Sequence, residues 1–355
     1  MTERENITIY NLKNQNDFLQ DEKISSNRSF FYRNKFKVIF GSIAFTIIAI
    51  TFNFYKDDFG EKFQSEFSGT NLSVNRVLVE GSSENIDINT PIISGVKTLG
   101  SKSGKLITAL PITDLAKPNG GAFNVKEKNI KLDKAGKLID FEGEKVLSVF
   151  YEKGTGTSGM KKPKLGRFDF TAVPQGLPAL AAVIKFDVYF APGWNFSRGG
   201  KLGGLAVGHG KASGYVRSHD GASHRMMWKH DGGAISYVYP PKDLKQEIPG
   251  LEHTEHGHAF FHHLFPSGTL KIGKWHTVEI GIKLNSFKGS KPNANGESYL
   301  AIDGVTGHLN NIRWRKFQDI KITKFSFSSF FGGPAPALTD CYAYFKNYEL
   351  REWKD

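Results

Sequence analysis

Short apolar runs separated by turn residues dominate the chain beyond residue 118. Valine, isoleucine, phenylalanine and tyrosine are concentrated in these runs, and glycine, asparagine, aspartate and proline lie between them. This pattern is typical of β-strands joined by tight turns. The clearest runs are 145–151, 167–173, 181–190, 275–284, 298–302, 321–330 and 341–350. They predict an all-β domain over residues 115–355, folded as a jelly-roll β-sandwich.

A different pattern lies near the N-terminus, where residues 38–55 form an apolar run without a charged side chain. The run is just long enough to cross a membrane as a helix. Basic residues precede it and acidic residues follow it, namely Arg28, Arg33, Lys35 and Lys37 before it and Asp57 and Asp58 after it. The positive-inside rule therefore predicts a single-pass transmembrane helix with a cytoplasmic N-terminus. A signal segment, cleaved or uncleaved, is the alternative and would also export the domain.

These two patterns divide the chain into four parts. Residues 1–37 are predicted to be a polar and basic cytoplasmic tail, and residues 38–55 a membrane anchor. Residues 56–114 are polar, with only short apolar runs, and are predicted to be a stalk or accessory region. The β domain at 115–355 is expected on the far side of the membrane.

The net charge and the single cysteine of the chain limit which partners and which disulfides are possible. The 355 residues carry a formal net charge of +12, which favours a polyanionic partner without identifying it. The single cysteine, Cys341, excludes an intrachain disulfide and lies in an aromatic strand-like run, so a buried structural thiol is expected.

Three motifs suggest other functions but lack the context that those functions need. Residues 154–159 match G-x-G-x-x-G, yet proline and glycine interrupt the segment where a phosphate-binding helix would begin, so an exposed hairpin loop is predicted. The histidine-rich run 252–263 has no HExxH pattern and is predicted to line a cleft or to be solvated, without a metal. The basic and aromatic run 312–317 belongs to no known nucleic-acid motif, and a solvated strand edge is expected there.

The strongest candidate site lies within residues 199–240. Lys201 stands between two glycine pairs, Ser223 and Arg225 are two apart, and Tyr237 and Tyr239 are two apart. Residues two apart on a strand point to the same face. The segment 230–234 predicts a hairpin. A three-residue loop would place Arg225 opposite Tyr239 and all four strand residues on one face, whereas a two-residue turn would separate them.

The four glycines around Lys201 have no side chains, so a bulky ligand could approach the backbone closely there. The alternative interpretation is a set of ordinary polar residues on a solvent-facing sheet, with the tyrosines present for their β propensity.

Cleavage of a uronic acid chain by β-elimination would need this set of side chains. An arginine can neutralise the sugar carboxylate, a lysine can remove the C5 proton, and a tyrosine can protonate the departing O4 oxygen. Arg225, Lys201 and either Tyr237 or Tyr239 are the candidates for these roles. The scheme needs no metal and no organic cofactor. Ser223, His219 and His224 are candidates for binding the sugar.

The same residues carry a family resemblance. The segments Gly199 to Leu205, Ser223 to Trp228 and Tyr237 to Tyr239, with Phe330 to Gly333 and Tyr342 to Phe345, resemble the polysaccharide lyase family 14 alginate and glucuronan lyases, especially those of chlorella viruses. The resemblance covers roughly residues 115–355. It implies a jelly-roll lyase that cleaves polyuronates by β-elimination and degrades an algal cell wall for a virus. In that family these motifs line the cleft, which carries over to Lys201, Ser223, Arg225, Tyr237 and Tyr239.

One departure from the family pattern is Gly203, because the family often has proline after the Lys-Leu pair. Two other functions stay open: a non-catalytic glycan-binding jelly roll, and a structural protein of a particle or cell envelope. The preferred uronic acid, endo or exo action, the identity of the acid tyrosine and the oligomeric state are also open.

Overall fold

The computed structural model describes residues 6–7, 96–98, 100–126, 135–156, 166–214, 216–248, 251, 256–332 and 336–355. These residues form twenty β-strands and three short 3₁₀ turns, the latter at Ile112–Ala116, Pro118–Phe123 and His230–Gly232. The strands are β1 (Asn6–Ile7), β2 (Val96–Thr98), β3 (Ser103–Leu110), β4 (Gly136–Phe141), β5 (Glu144–Tyr151), β6 (Arg167–Ala172), β7 (Ala181–Phe190), β8 (Gly200–Gly208), β9 (Ala212–Ser213), β10 (Val216–Arg217), β11 (Gly221–Trp228), β12 (Ala234–Tyr239), β13 (His258–Phe260), β14 (Trp275–Lys283), β15 (Phe287–Lys288), β16 (Lys291–Pro292), β17 (Gly296–Ile302), β18 (Val305–Ile312), β19 (Ile322–Phe331) and β20 (Cys341–Trp353).

Two antiparallel sheets account for most of these strands. The larger sheet has the order β1-β2-β18-β17-β14-β7-β20-β5-β4, with β3 also paired to β20. The smaller sheet has the order β13-β12-β11-β8-β19-β6. Some neighbouring strands are far apart in sequence, such as β8 with β19 and β7 with β20. The chain must cross over other strands to form these pairs, as is expected in a jelly roll.

The core lies between the inner faces of the two sheets. The smaller sheet contributes residues such as Met226, Val238 and Phe327, and the larger sheet contributes residues such as Ile280 and Phe345. All five are 1% exposed or less. Alternation along each strand sends the intervening residues of the smaller sheet to its outer face, and the candidate site lies on that face.

The all-β sandwich prediction is confirmed, and the strand bounds lie within a few residues of those expected from the apolar runs. Cys341 is buried as predicted, and burial raises the pKa of its thiol to about 12. No helix among the described residues is long and apolar enough to cross a membrane. The predicted anchor at 38–55 and most of the predicted stalk lie outside the described residues, as do positions 157–159 of the glycine-rich loop.

Candidate active site

Three adjacent strands, β12, β11 and β8, form the floor of the candidate site. Ser223 faces Tyr239 and Arg225 faces Tyr237 across the β11–β12 pair. On the other side of β11, Met227 faces Lys201. Directly opposed residues of an antiparallel pair point to the same face. The prediction that Ser223, Arg225, Tyr237 and Tyr239 share one face is therefore confirmed, and the structure adds Lys201 to the same face.

The predicted three-residue hairpin loop is wrong by two residues. The last pair of the hairpin is Trp228 with Ala234, so the loop has five residues and Arg225 faces Tyr237 instead of Tyr239. Because side chains alternate between the two faces, lengthening the loop by two residues leaves each residue on its predicted face. For that reason the side chains still come together.

A β-bulge in β8 places the Lys201 side chain. The register between β8 and β11 shifts so that Met226 faces Gly203 while Met227 faces Lys201. The Nζ atom of Lys201 lies 4.8 Å from the Tyr237 ring centroid and 5.8 Å from that of Tyr239. The bulge thereby holds the lysine against the rings of both tyrosines, the two candidate acids. Bulges beside active sites often direct a side chain in this way.

The glycines around Lys201 serve packing, which corrects the interpretation that they clear space for a ligand. A Cβ atom at Gly200 would lie 2.0 Å from the indole of Trp228, and one at Gly203 would lie 2.6 Å from the Ser326 carbonyl. Gly203 also has a φ of 124°, which a proline cannot adopt. Glycine at 203 therefore fits the bulge, and proline would not.

Arg225 is a partly buried cation on β11, in the floor of the candidate site. Burial lowers the pKa of its guanidinium, and the fields of Tyr239 and Asp169 oppose that effect. Its Nε atom is buried without a hydrogen-bond partner among the described residues. The fold therefore satisfies this guanidinium incompletely, and an anionic ligand bound to its accessible part would offset that cost. Arg225 is thus suited to bind a carboxylate brought in from solution.

The two tyrosines pack edge to face, with ring centroids 5.4 Å apart and an interplanar angle of 79°. A Cβ atom at Gly257 would lie 2.6 Å from Cε1 of Tyr237 and 2.6 Å from Cε2 of Tyr239. The backbone at 257 therefore lies directly against both rings. This places one part of the histidine-rich run beside the candidate site, as one of the two sequence-based interpretations expected.

Ser223 has a more structural position than expected. It is 1% exposed, and its hydroxyl donates a 2.7 Å hydrogen bond to the Ala212 carbonyl of β9. Arg217 of β10 donates to the carbonyls of Pro240 and Pro241, just beyond β12. These bonds attach the β9–β10 hairpin to the floor, so Ser223 can offer a sugar only its acceptor lone pair.

The structure does not bring the two candidate histidines to the floor. His224 points to the inner face, where it is 0% exposed. Its Nδ1 lies 3.0 Å from the Gly281 carbonyl and its Nε2 lies 2.6 Å from the Ser236 hydroxyl. Period-two alternation makes this unavoidable, because His224 lies between Ser223 and Arg225. We therefore remove His224 from the substrate-binding set. His219 is exposed, 3.5 Å from Asp243, in the turn before β11.

The rest of the histidine-rich run adds no metal site among the described residues, where no group of three or more His, Cys, Asp or Glu side chains could hold an ion. Residues 252–255 of the run lie outside this description. His262 accepts a hydrogen bond of 3.2 Å from Lys229, and burial followed by the charge of Lys229 lowers its pKa to about 3. His262 is therefore neutral near pH 7.

The strands β19 and β6 extend this sheet face beyond β8, and the sequence analysis assigned no site residue to them. Phe330 faces Lys201 on one side and Arg167 on the other. Asp169 of β6 faces Ser328 of β19. The signal was present in the strand 167–172, where Arg, Asp and Thr alternate with Phe, Phe and Ala, so its polar residues share one face.

Comparisons with known proteins agree with this geometry. The sequence model described as Polysaccharide lyase 14 matches residues 140–348, which is more than half of the chain. No curated protein sequence matches the chain. Among solved structures, an alginate lyase from a Chlorella virus is 41% identical, with a TM-score of 0.66. The match covers 70% of this chain and 100% of that one.

A marine PL-14 alginate lyase from Aplysia kurodai is 24% identical with a TM-score of 0.58, again over 70% of this chain and 100% of that one, and shows the same fold. The matched region contains β5 to β19, and with them every strand of the candidate site. The outer face of the smaller sheet, with its lysine, arginine and paired tyrosines, thus lies within the matched region. The chain belongs to the polysaccharide lyase 14 family.

Proposed function

We propose that this protein cleaves 1,4-linked uronic acid chains, of the alginate or glucuronan type, by β-elimination. The observation that carries the proposal is the convergence of Lys201, Arg225, Tyr237 and Tyr239 on one sheet face. The Chlorella virus relative, which is an alginate lyase, supports the substrate class.

In the proposed reaction each of these groups has one role. Arg225 binds the carboxylate of the uronate and so lowers the cost of forming negative charge beside it. Lys201 removes the C5 proton, the electron pair forms the C4–C5 double bond, and the C4–O4 bond breaks. A tyrosine hydroxyl of the pair donates a proton to the departing O4 oxygen. The products are a new reducing end and an unsaturated sugar at the new non-reducing end, and no water is consumed.

Substitution of Lys201 tests this mechanism. We expect the full-length protein to raise ultraviolet absorbance, from the unsaturated uronate, when it is given alginate or glucuronan. Lys201→Ala should reduce kcat by about 10²–10⁴-fold, the usual contribution of a general base. Lys137→Ala is a matched control, because Lys137 is an exposed lysine on the larger sheet.

The outcomes separate the candidate functions. Full activity in Lys201→Ala would contradict the assigned base. Saturable binding of polyuronates by the wild-type protein without any unsaturated product, across neutral and alkaline pH, would replace the lyase by a glycan-binding module. Absence of both binding and product would leave only the structural-protein function.

We also propose that residues 38–55 anchor the protein in a membrane, with the lyase domain on the far side. The length of the apolar run and the basic residues before it support this proposal. An anchored lyase on a virus or cell surface would meet the acidic polysaccharide of an algal wall directly.

Fractionation tests the anchor. The full-length chain should remain in the membrane pellet after alkaline carbonate extraction. Ile48→Lys, which places a charge at the centre of the run at a cost of about 3 kcal/mol, should shift part of the protein to the supernatant. Recovery of the unsubstituted chain in the soluble fraction would refute the anchor.

A further inference from the structure

A second arginine lies on the same sheet face as the candidate site, beyond the region that the sequence motifs identified. Arg167 is on β6, the edge strand of the smaller sheet, and faces Phe330 of β19. Its guanidinium carbon lies 5.0 Å from the Phe330 ring centroid. Its Nε donates to Oδ2 of Asp169. One aromatic ring and one carboxylate therefore fix the orientation of this guanidinium.

Asp169 is occupied on both of its oxygens. Oδ2 accepts from Arg167, and Oδ1 accepts a 2.5 Å hydrogen bond from the Ser328 hydroxyl. The carboxylate is thus directed at neighbouring protein groups. Within the described strands of the smaller sheet, the cations Lys201, Arg225 and Arg167 outnumber the single carboxylate, Asp169, so these strands keep an excess of positive charge that suits a polyanion.

Arg167 stands close to the reacting groups. The Phe330 ring lies between two cations, because Lys201 Nζ is 6.0 Å from the same centroid on which Arg167 packs. The two charged groups are therefore no farther apart than these two distances together, a span that one or two linked pyranose rings can cover. In a polyuronate each sugar carries a carboxylate, so a chain held at Lys201 and Arg225 presents another anion near Arg167.

The exposure of this arginine argues against a purely structural role. Its side chain is 48% exposed, and that of Asp169 is 31% exposed. Ion pairs this open to solvent contribute little to stability, about 0–1 kcal/mol. By contrast, a guanidinium already oriented by a ring and a carboxylate loses little conformational entropy when it binds an anion.

We propose that Arg167 is a substrate-binding residue that holds the carboxylate of a uronate next to the one that is cleaved. Asp169 and Ser328 position it. The inference rests on the proposed polyuronate lyase function. It identifies a binding subsite on β6 and β19, beyond the residues to which that function assigns the chemistry.

Oligomers of defined length test the subsite. With the full-length protein, kcat and KM are measured on tri-, tetra- and hexauronates for the wild type, Arg167→Ala, Arg167→Lys and Arg351→Ala. Arg351 is a matched control because it also pairs with a carboxylate two residues away, Glu349, but lies on the outer face of the larger sheet. Arg167→Ala should raise KM for the longer oligomers about tenfold, which corresponds to about 1.4 kcal/mol. Arg167→Lys should recover part of the loss, and Arg351→Ala should match the wild type.

Two results would overturn the subsite: an unchanged KM in Arg167→Ala at every length, or an equal loss in Arg351→Ala. A fall in kcat that is the same for every oligomer, together with a lower melting temperature, would instead assign Arg167 a structural role. If the wild type forms no unsaturated product, the proposed lyase function fails. Calorimetric titration of the same oligomers into the same variants then still decides whether Arg167 binds uronates.

Discussion

Arg225 and Arg315 are both withdrawn from solvent, and burial lowers the pKa of both guanidinium groups. Their surroundings differ. Arg315 donates to the backbone carbonyls of Asn285, Gln318 and Ile320 at 2.7–3.1 Å. For Arg225, the Nε atom has no hydrogen-bond partner in the described part of the chain. The fold therefore satisfies the guanidinium of Arg315 and leaves that of Arg225 incompletely satisfied.

This difference predicts opposite effects of the same substitution. Arg315→Met should destabilise the protein by about 2–5 kcal/mol, because three backbone carbonyls, one of them fully buried, lose their donor. Arg225→Met should leave the melting temperature unchanged or raise it, since an apolar side chain replaces a poorly satisfied buried cation. Its kcat/KM on polyuronates should nevertheless fall at least about 100-fold.

Thermal unfolding and steady-state kinetics of the two variants check this contrast. If Arg225→Met loses as much stability as Arg315→Met, Arg225 is a structural arginine and its assignment to the substrate carboxylate is wrong.

Whole strands were predictable from the sequence because their apolar alternation is local. The five-residue connection between β11 and β12 was not, because distant backbone fixes it. Asp231 donates its N–H to the Phe196 carbonyl, and its own carbonyl accepts from Gly268. Asp231 has a φ of 56°, in the left-handed region that Asp adopts more readily than most residues. An Asp-Gly-Gly segment is compatible with a three-residue loop as well, and only those contacts select the longer one.

The β-bulge in β8 and the pairing of β19 with β8 could not be predicted, for a similar reason. The sequence Gly199 to Gly204 signals close backbone approach, but it does not say whether the approaching group is a ligand or the protein itself. The neighbour of Gly203 is the Ser326 carbonyl, more than 100 positions along the chain. Conversely, the inward position of His224 follows from period-two alternation alone and could have been predicted.

Close packing of one loop against one strand leads to a prediction about Gly257. Any side chain at 257 must displace the rings of Tyr237 and Tyr239, since a Cβ atom there would lie 2.6 Å from both. Gly257→Ala should therefore lower kcat by about tenfold or more, because small misplacements of catalytic groups are costly. KM should change less, since Arg225 is not displaced.

The matched control is Gly100→Ala, because no heavy atom lies within 4 Å of the position its Cβ would take. Kinetics and melting temperature are measured for both variants. Equal kcat in the two would show that the tyrosines tolerate the shift, and it would remove Gly257 from the residues that position them.

At the scale of the whole molecule, the two sheets meet around a buried histidine. His224 on the smaller sheet bonds to Gly281 on the larger one. Burial lowers the pKa of His224 to about 4, while the hydrogen bond to the Gly281 carbonyl acts in the opposite direction. In the unfolded chain the pKa of histidine is about 6.5. Below that pH the unfolded state binds a proton that the folded state excludes, so stability falls as the pH is lowered from 6.5 to 4.

The expected loss from this one group is about 3 kcal/mol at the acid end of the window. Carboxylates contribute at lower pH: although burial opposes it, contacts with His308 and His276 lower the pKa of Glu297 and Asp303. Their stabilisation is therefore lost only as the pH falls below about 4.5. Between pH 6.5 and 4.5, His224 and His262 should dominate the pH dependence of unfolding.

Denaturant unfolding at a series of pH values isolates the contribution of His224. His224→Asn should be less stable than the wild type at pH 7.5, because it loses the hydrogen bond that joins the sheets. Its unfolding free energy should then decline less steeply as the pH falls to 4.5, because no proton is bound at position 224 in either state. His219→Asn, at an exposed position, is the control for the loss of a histidine that does not join the sheets. An unchanged slope in His224→Asn would mean that His262 or other groups, and not the histidine between the sheets, cause the acid sensitivity of the sandwich.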